Sequence, residues 1–152
     1  MKIVTAMAPR CGTSFVIQQC IKAGLAVNGV AFINEQLTPK EGNPEGYYEM
    51  ATAPQRGMVQ KVWPRDLESI DPSEISALVV LDRRDKQALY ASMQQQAERE
   101  QFSYSASEAY EEISATLKNY LASTGIDYLL VHTEELDDRI EEILKYLETG
   151  KK

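Results

Sequence analysis

The segment Ala8-Pro9-Arg10-Cys11-Gly12-Thr13-Ser14 puts a cation, a glycine and two hydroxyl side chains into one turn. It follows the apolar run Ile3-Val4-Thr5-Ala6 and precedes Val16, Ile17, Cys20 and Ile21, which recur at helical spacing. A strand, a tight turn and a helix in this order make an anion site, because the first N–H groups of the helix lack partners and its dipole favours negative charge. The nucleotide-binding form of such a turn is GxxxxGK followed by Ser or Thr. With Gly12 as the second glycine, Met7 stands at the first, Thr13 at the lysine and Ser14 at the final hydroxyl. The lysine is missing, and the cation, Arg10, lies inside the turn. The alternative is an ordinary turn whose helix is capped by Thr13 or Ser14.

A second group of residues follows the apolar run Leu78-Val79-Val80-Leu81. It reads Asp82-Arg83-Arg84-Asp85, and Ser92 comes eight residues after Arg84. At ~100° per helical residue Asp85 and Ser92 share a face, which directs the Ser92 hydroxyl to the same edge as Arg84. A guanidinium fork with a hydroxyl is a phosphate clamp. The alternative makes Arg83 and Arg84 solvated strand-end charges and Ser92 a buried helix serine. Asp82 also suits the magnesium-binding acid of a P-loop kinase or NTPase, a reading that the missing lysine weakens.

The elements that must position these groups alternate. Residues 3–6 read as a strand ending near Met7, and the helix from Thr13 ends at Gly24, where a left-handed residue is needed. A short strand with a turn at Asn28-Gly29 comes next, and the polar stretch from Asn34 to Met50 reads as a loop long enough to carry binding groups. Gly57–Trp63 reads as a strand stopped by Pro64, and Ile75–Asp82 as a central parallel strand. Helices follow from Asp85 to about Arg99 and from the capping box Ser105-Ala106-Ser107-Glu108 to Gly125. A strand at 127–132 and a helix marked by Ile140, Ile143, Leu144 and Leu147 close the pattern. The expected fold is α/β: residues 1–152 form a single three-layer, P-loop-like domain with a mainly parallel sheet of about four to five strands flanked by helices.

Composition sets the outer limits. With 16 basic and 23 acidic residues and a net charge of -7, the surface repels a polyanion, so nucleic acid is not an expected partner. Cys11 and Cys20 have no spacing that suggests a disulfide framework or a metal site, which fits a reducing cytoplasm. No apolar stretch is long enough to span a bilayer, so no membrane is expected.

The segment from Ala8 to Phe15 resembles the 5′-phosphosulfate loop of sulfotransferases, usually Pro, Lys or Arg, Ser or Thr, Gly, and two hydroxyl residues. The resemblance implies that Arg10, Cys11, Gly12, Thr13 and Ser14 hold the 5′ side of 3′-phosphoadenosine 5′-phosphosulfate (PAPS), with Cys11 departing from the usual hydroxyl residue. Leu78–Ser92 is similar to the family's 3′-phosphate motif, which implies that Arg84 and Ser92 bind that phosphate in PAPS and in the product adenosine 3′,5′-bisphosphate (PAP). Gly42–Glu49 resembles a segment that faces the acceptor in bacterial members, and Lys61 lies on the strand that carries a basic residue in many members. Val131–Glu148 is similar to a structural strand-to-helix element, so the resemblance runs from about Met1 to Glu148. It implies metal-free transfer of a sulfuryl group to a hydroxyl or amine of a small-molecule or glycan acceptor, with Lys61 stabilising the leaving group and Glu49, with Glu45 behind it, as base. The histidine that serves as base in many members is absent: Val62, Trp63 and Pro64 follow Lys61, and the only histidine, His132, ends a later strand. The family's C-terminal Arg-Lys-Gly segment is missing too, unless Gly150-Lys151-Lys152 stands in for it, and the chain is short for the family. These departures leave open a binding protein that keeps the nucleotide pocket without the chemistry.

Overall fold

The computed structural model describes residues 1–32, 47–49 and 52–152. In chain order the elements are β1 (Lys2–Ala6), α1 (Thr13–Lys22), β2 (Val30–Phe32), β3 (Tyr47–Glu49), β4 (Val59–Lys61), α2 (Pro64–Leu67), β5 (Ala77–Asp82), α3 (Lys86–Arg99), α4 (Ala106–Thr124), β6 (Leu129–His132) and α5 (Leu136–Thr149). The fold is α/β. A four-stranded sheet runs in the order β4-β1-β5-β6 with every pairing parallel, and β2 and β3 form a separate antiparallel pair.

Alternation along the strands builds the layers. Val4 and Ala6 of β1, with Val79 and Leu81 of β5, pack with Val16, Ile17 and Cys20 of α1 and Ile143 and Leu147 of α5. Ile3, Leu78 and Val80 point the other way and pack with Leu67 of α2 and Leu117 and Leu121 of α4. Covering on both faces is why β5 is a continuous apolar run. Leu89 and Met93 of α3 join the first cluster alongside Cys11, which brings α3 to the carboxyl end of β1.

The helix limits follow their caps. Asp85 accepts from Ala88 N–H at the start of α3, Ser105 accepts from Glu108 N–H at the start of α4, and Gly125 closes α4 at φ 63°. Two sequence expectations need correction. Tyr47–Glu49, expected within a loop, is a strand paired with β2, and three residues are too few to show a period. Pro64 does more than stop β4: it is the first residue of α2, where its missing N–H costs nothing. The outer edge of β4 is closed by Val27, which bridges to Val59, and by the buried Gln60, whose Oε1 accepts from Asn28 Nδ2 at 3.0 Å. Among the described residues no helix is long and apolar enough to cross a membrane.

Candidate functional site

The chain leaves β1 towards β4 and leaves β5 towards β6, so the direction of winding reverses between β1 and β5. Open parallel sheets bind ligands outside the carboxyl ends of their strands at such a point. Four connections meet there: residues 7–12 after β1, Val62-Trp63 after β4, residues 83–85 after β5 and residues 133–135 after β6.

The turn after β1 takes its shape from two left-handed residues, Arg10 at φ 67° and Gly12 at φ 98°. Gly12 is also the N-cap of α1 and brings no side chain to the helix amides, so neither Thr13 nor Ser14 caps from that position. Glycine suits the position because a side chain is strained at φ 98°, and a Cβ there would also displace the Leu136 Cδ1 methyl, 2.5 Å away. Thr133 fixes the turn against the sheet: its Oγ1 lies 2.8 Å from Cys11 O and 3.2 Å from Asp82 O. The Cys11 side chain is fully buried among Val16, Leu89 and Met93, and desolvation pushes its thiol up to about 12. What Cys11 contributes at the turn is therefore main chain. Thr13 is buried and Ser14 half-buried.

Arg10 Nε donates to Ser92 Oγ at 3.1 Å, which joins the turn after β1 to the helix after β5. The two sequence motifs thus meet, but through Arg10 and not through Arg84. Arg84 is turned towards the connection after β6, where its guanidinium donates to Glu135 Oε1 at 2.7 Å. The backbone N–H groups of Arg84 and Asp85 donate to the two oxygens of Glu134 at 3.0 and 3.1 Å. Desolvation opposes the charge on Glu134, but these two bonds outweigh it and hold the carboxyl at about 2. His132 stands beside Glu135, with Nδ1 3.8 Å from Oε2.

A group that sequence reasoning did not assemble centres on Asp82. Lys86 Nζ is 2.8 Å from Oδ1, Tyr110 Oη is 3.1 and 3.2 Å from the two oxygens, and the ammonium lies 4.5 Å from the Tyr110 ring centroid. Desolvation disfavours the Lys86 ammonium, yet its bonds to Asp82 and Tyr110 prevail and its pKa is raised. The separation of Lys86 from Asp82 was visible, but Tyr110 comes from α4 and nothing in the sequence places it there.

Lys61, at the carboxyl end of β4, is 7 % exposed and its Nζ lies 4.6 Å from the Trp63 ring centroid. Glu49 ends β3, with its side chain outside the described residues, as is the whole of Glu45. Among the described residues no three His, Cys, Asp or Glu side chains group to hold a metal ion. A cleft of about 400 Å³ opens between Pro9 of the turn, Trp63 and the side of α4. The arrangement offers a cation in a turn at a helix N-terminus, a hydroxyl bonded to it and a second cation at the next strand end, while the cleft meets this group only through Pro9 and Trp63. No protein-family model, curated protein or solved structure matches this chain.

Proposed function

We propose that this site binds a 3′-phosphorylated adenine nucleotide and transfers a sulfuryl group from PAPS to an acceptor hydroxyl or amine. The observation that carries the reading is the Arg10–Ser92 hydrogen bond: a cation in a lysine-less turn is joined to a helix whose serine the 3′-phosphate motif requires. The residues present fit an anionic ligand in part. Arg10 and the turn suit the 5′ side, whereas Arg84 holds Glu135 and would exchange that carboxylate for the 3′-phosphate.

When bound, PAPS supplies the sulfuryl group: the acceptor's oxygen or nitrogen forms a bond to sulfur as the bond from sulfur to the 5′-phosphate oxygen breaks, leaving PAP. The chain's part is electrostatic and geometric. Arg10 orients the 5′ side, Lys61 offsets the charge gathering on the departing phosphate oxygen, and Glu49 takes the acceptor's proton. The reading as a magnesium-dependent kinase or NTPase requires Asp82 to give up Lys86 and Tyr110 first.

Calorimetry with PAP in the presence of a chelator tests the proposal. Binding should persist without magnesium, and Arg10→Ala should weaken it by about 1.5–3 kcal/mol, roughly one to two orders of magnitude. Tighter binding of magnesium-ATP than of PAP, or unchanged affinity in a folded Arg10→Ala protein, overturns it.

A further inference from the structure

Three consecutive residues after β6 tie the carboxyl end of the sheet together. Thr133 Oγ1 lies 2.8 Å from Cys11 O and 3.2 Å from Asp82 O, which fixes the segment against the turn after β1 and the end of β5. Glu134 accepts from the amides of Arg84 and Asp85, and Glu135 Oε1 accepts from the Arg84 guanidinium at 2.7 Å. Glu135 therefore holds the one guanidinium that the nucleotide reading assigns to the 3′-phosphate. Ser92, the other member of that motif, is bonded to Arg10, so Arg84 is the half of the clamp that has to move.

The two carboxylates differ in what they can give up. Both oxygens of Glu134 are bonded to main chain, and those bonds leave it no freedom to follow Arg84 or to retreat from it. Glu135 has other cations within reach. Arg139 Nη1 donates to its Oε2 at 3.2 Å, and His132 Nδ1 is 3.8 Å from the same oxygen. Arg139 is itself held by Glu142 and by Leu130 O, so it stays in place when Arg84 leaves. Glu135 then keeps an ion pair. The Arg84 side chain is 58 % exposed and has room to turn. A phosphate dianion draws it away because it brings more charge and more acceptor oxygens to the guanidinium fork than a carboxylate does. A ribose 3′-hydroxyl brings neither, and it leaves the pair intact.

From this geometry we propose that Glu135 is an internal competitor for the 3′-phosphate: it occupies Arg84 in the free protein, and a nucleotide binds through its 3′ side only by exchanging phosphate for that carboxylate. The contact thus lowers the affinity for PAP and PAPS and spares ligands that do not use Arg84. This role rests on the nucleotide reading.

Calorimetry on the full chain with PAP and with adenosine 5′-monophosphate tests it. Glu135→Gln keeps an acceptor for Arg139 and removes the charge, and its affinity for PAP should rise about two- to fivefold, the range of an exposed ion pair. Affinity for the monophosphate should stay at the wild-type value. Glu135→Ala should show the same gain and serves in its place if the glutamine variant does not fold. The gain should largely vanish in an Arg84→Ala background, because the competitor then has nothing to occupy. Unchanged or weaker PAP binding in a folded Glu135 variant, an equal gain for the monophosphate, or a gain of the same size without Arg84 overturns the proposal. If wild type binds PAP and the Glu135 variants bind it no better, this role falls and the nucleotide reading stands. If neither wild type nor the variants bind PAP, the nucleotide reading falls and this role with it.

Discussion

Arg10 is held in a conformation that side-chain-bearing residues seldom adopt, with φ at 67°. The left-handed region costs a non-glycine residue about 1–2 kcal/mol, and structures retain such residues where the surroundings determine them. Here the bond from Nε to Ser92 is one such determinant. Arg10→Gly and Arg10→Ala remove the same side chain but differ in tolerance of that φ. Urea unfolding should find the glycine variant more stable than the alanine variant by about 1 kcal/mol, with nucleotide affinity equally reduced in both. Equal stabilities would mean that the turn relaxes out of the left-handed region once the guanidinium is gone. The sequence shows that the turn lacks the lysine and carries Arg10 within it. It does not show that Ser92 is its partner, because residues 82 apart meet only through the way α3 lies against the turn. The same holds for Arg84, whose partner Glu135 is 51 residues away. Local spacing pairs Arg84 with Ser92, and a carboxylate from a later connection takes its guanidinium instead.

The long elements were legible because their signals repeat, whereas the short ones carry too few residues to repeat anything. α4 shows its period, its serine cap and its closing glycine over 19 residues. β3 has three residues and α2 four, and both lie in stretches where tertiary contacts decide the backbone. The start of α3 shows what such contacts do. Its start at Asp85 was readable, but the anion on the amides of Arg84 and Asp85 is Glu134, supplied by the segment after β6. Since that carboxyl falls from 4.5 to about 2 in the folded chain, its stabilising bonds are complete above pH 4.5 and are lost as pH falls towards 2. Glu134→Gln should therefore lower stability at pH 7, by no more than about 1 kcal/mol for an exposed, screened carboxylate. The difference should shrink towards zero near pH 2, read from urea midpoints across that range. A deficit that stayed constant with pH would assign the loss to packing.

The molecule gathers its chemistry at the carboxyl end of the sheet, where β1 is central, flanked by β4 and β5. The α/β pattern and the covered parallel sheet were readable from alternating strand and helix signals, while the strand order was not, since it depends on which strands each crossover brings together. In β1, Lys2–Val4 pairs with Val59–Lys61 on one side and Lys2–Ala6 with Ala77–Leu81 on the other. During synthesis, β1 therefore leaves the ribosome long before either partner exists. At ~5–20 residues per second it waits several seconds for β5, an apolar strand with both edges open. Ribosome-bound chains arrested with β4 outside the exit tunnel and β5 still inside should be cleaved near β1 by a limiting protease, and protection should arise once Asp82 has cleared. Protection with β4 alone would show that one edge suffices. The strand that bears the turn is thus made before both of its partners and stays open until the later one emerges, so a cell making this protein quickly has to keep that strand from its neighbours on the same polysome.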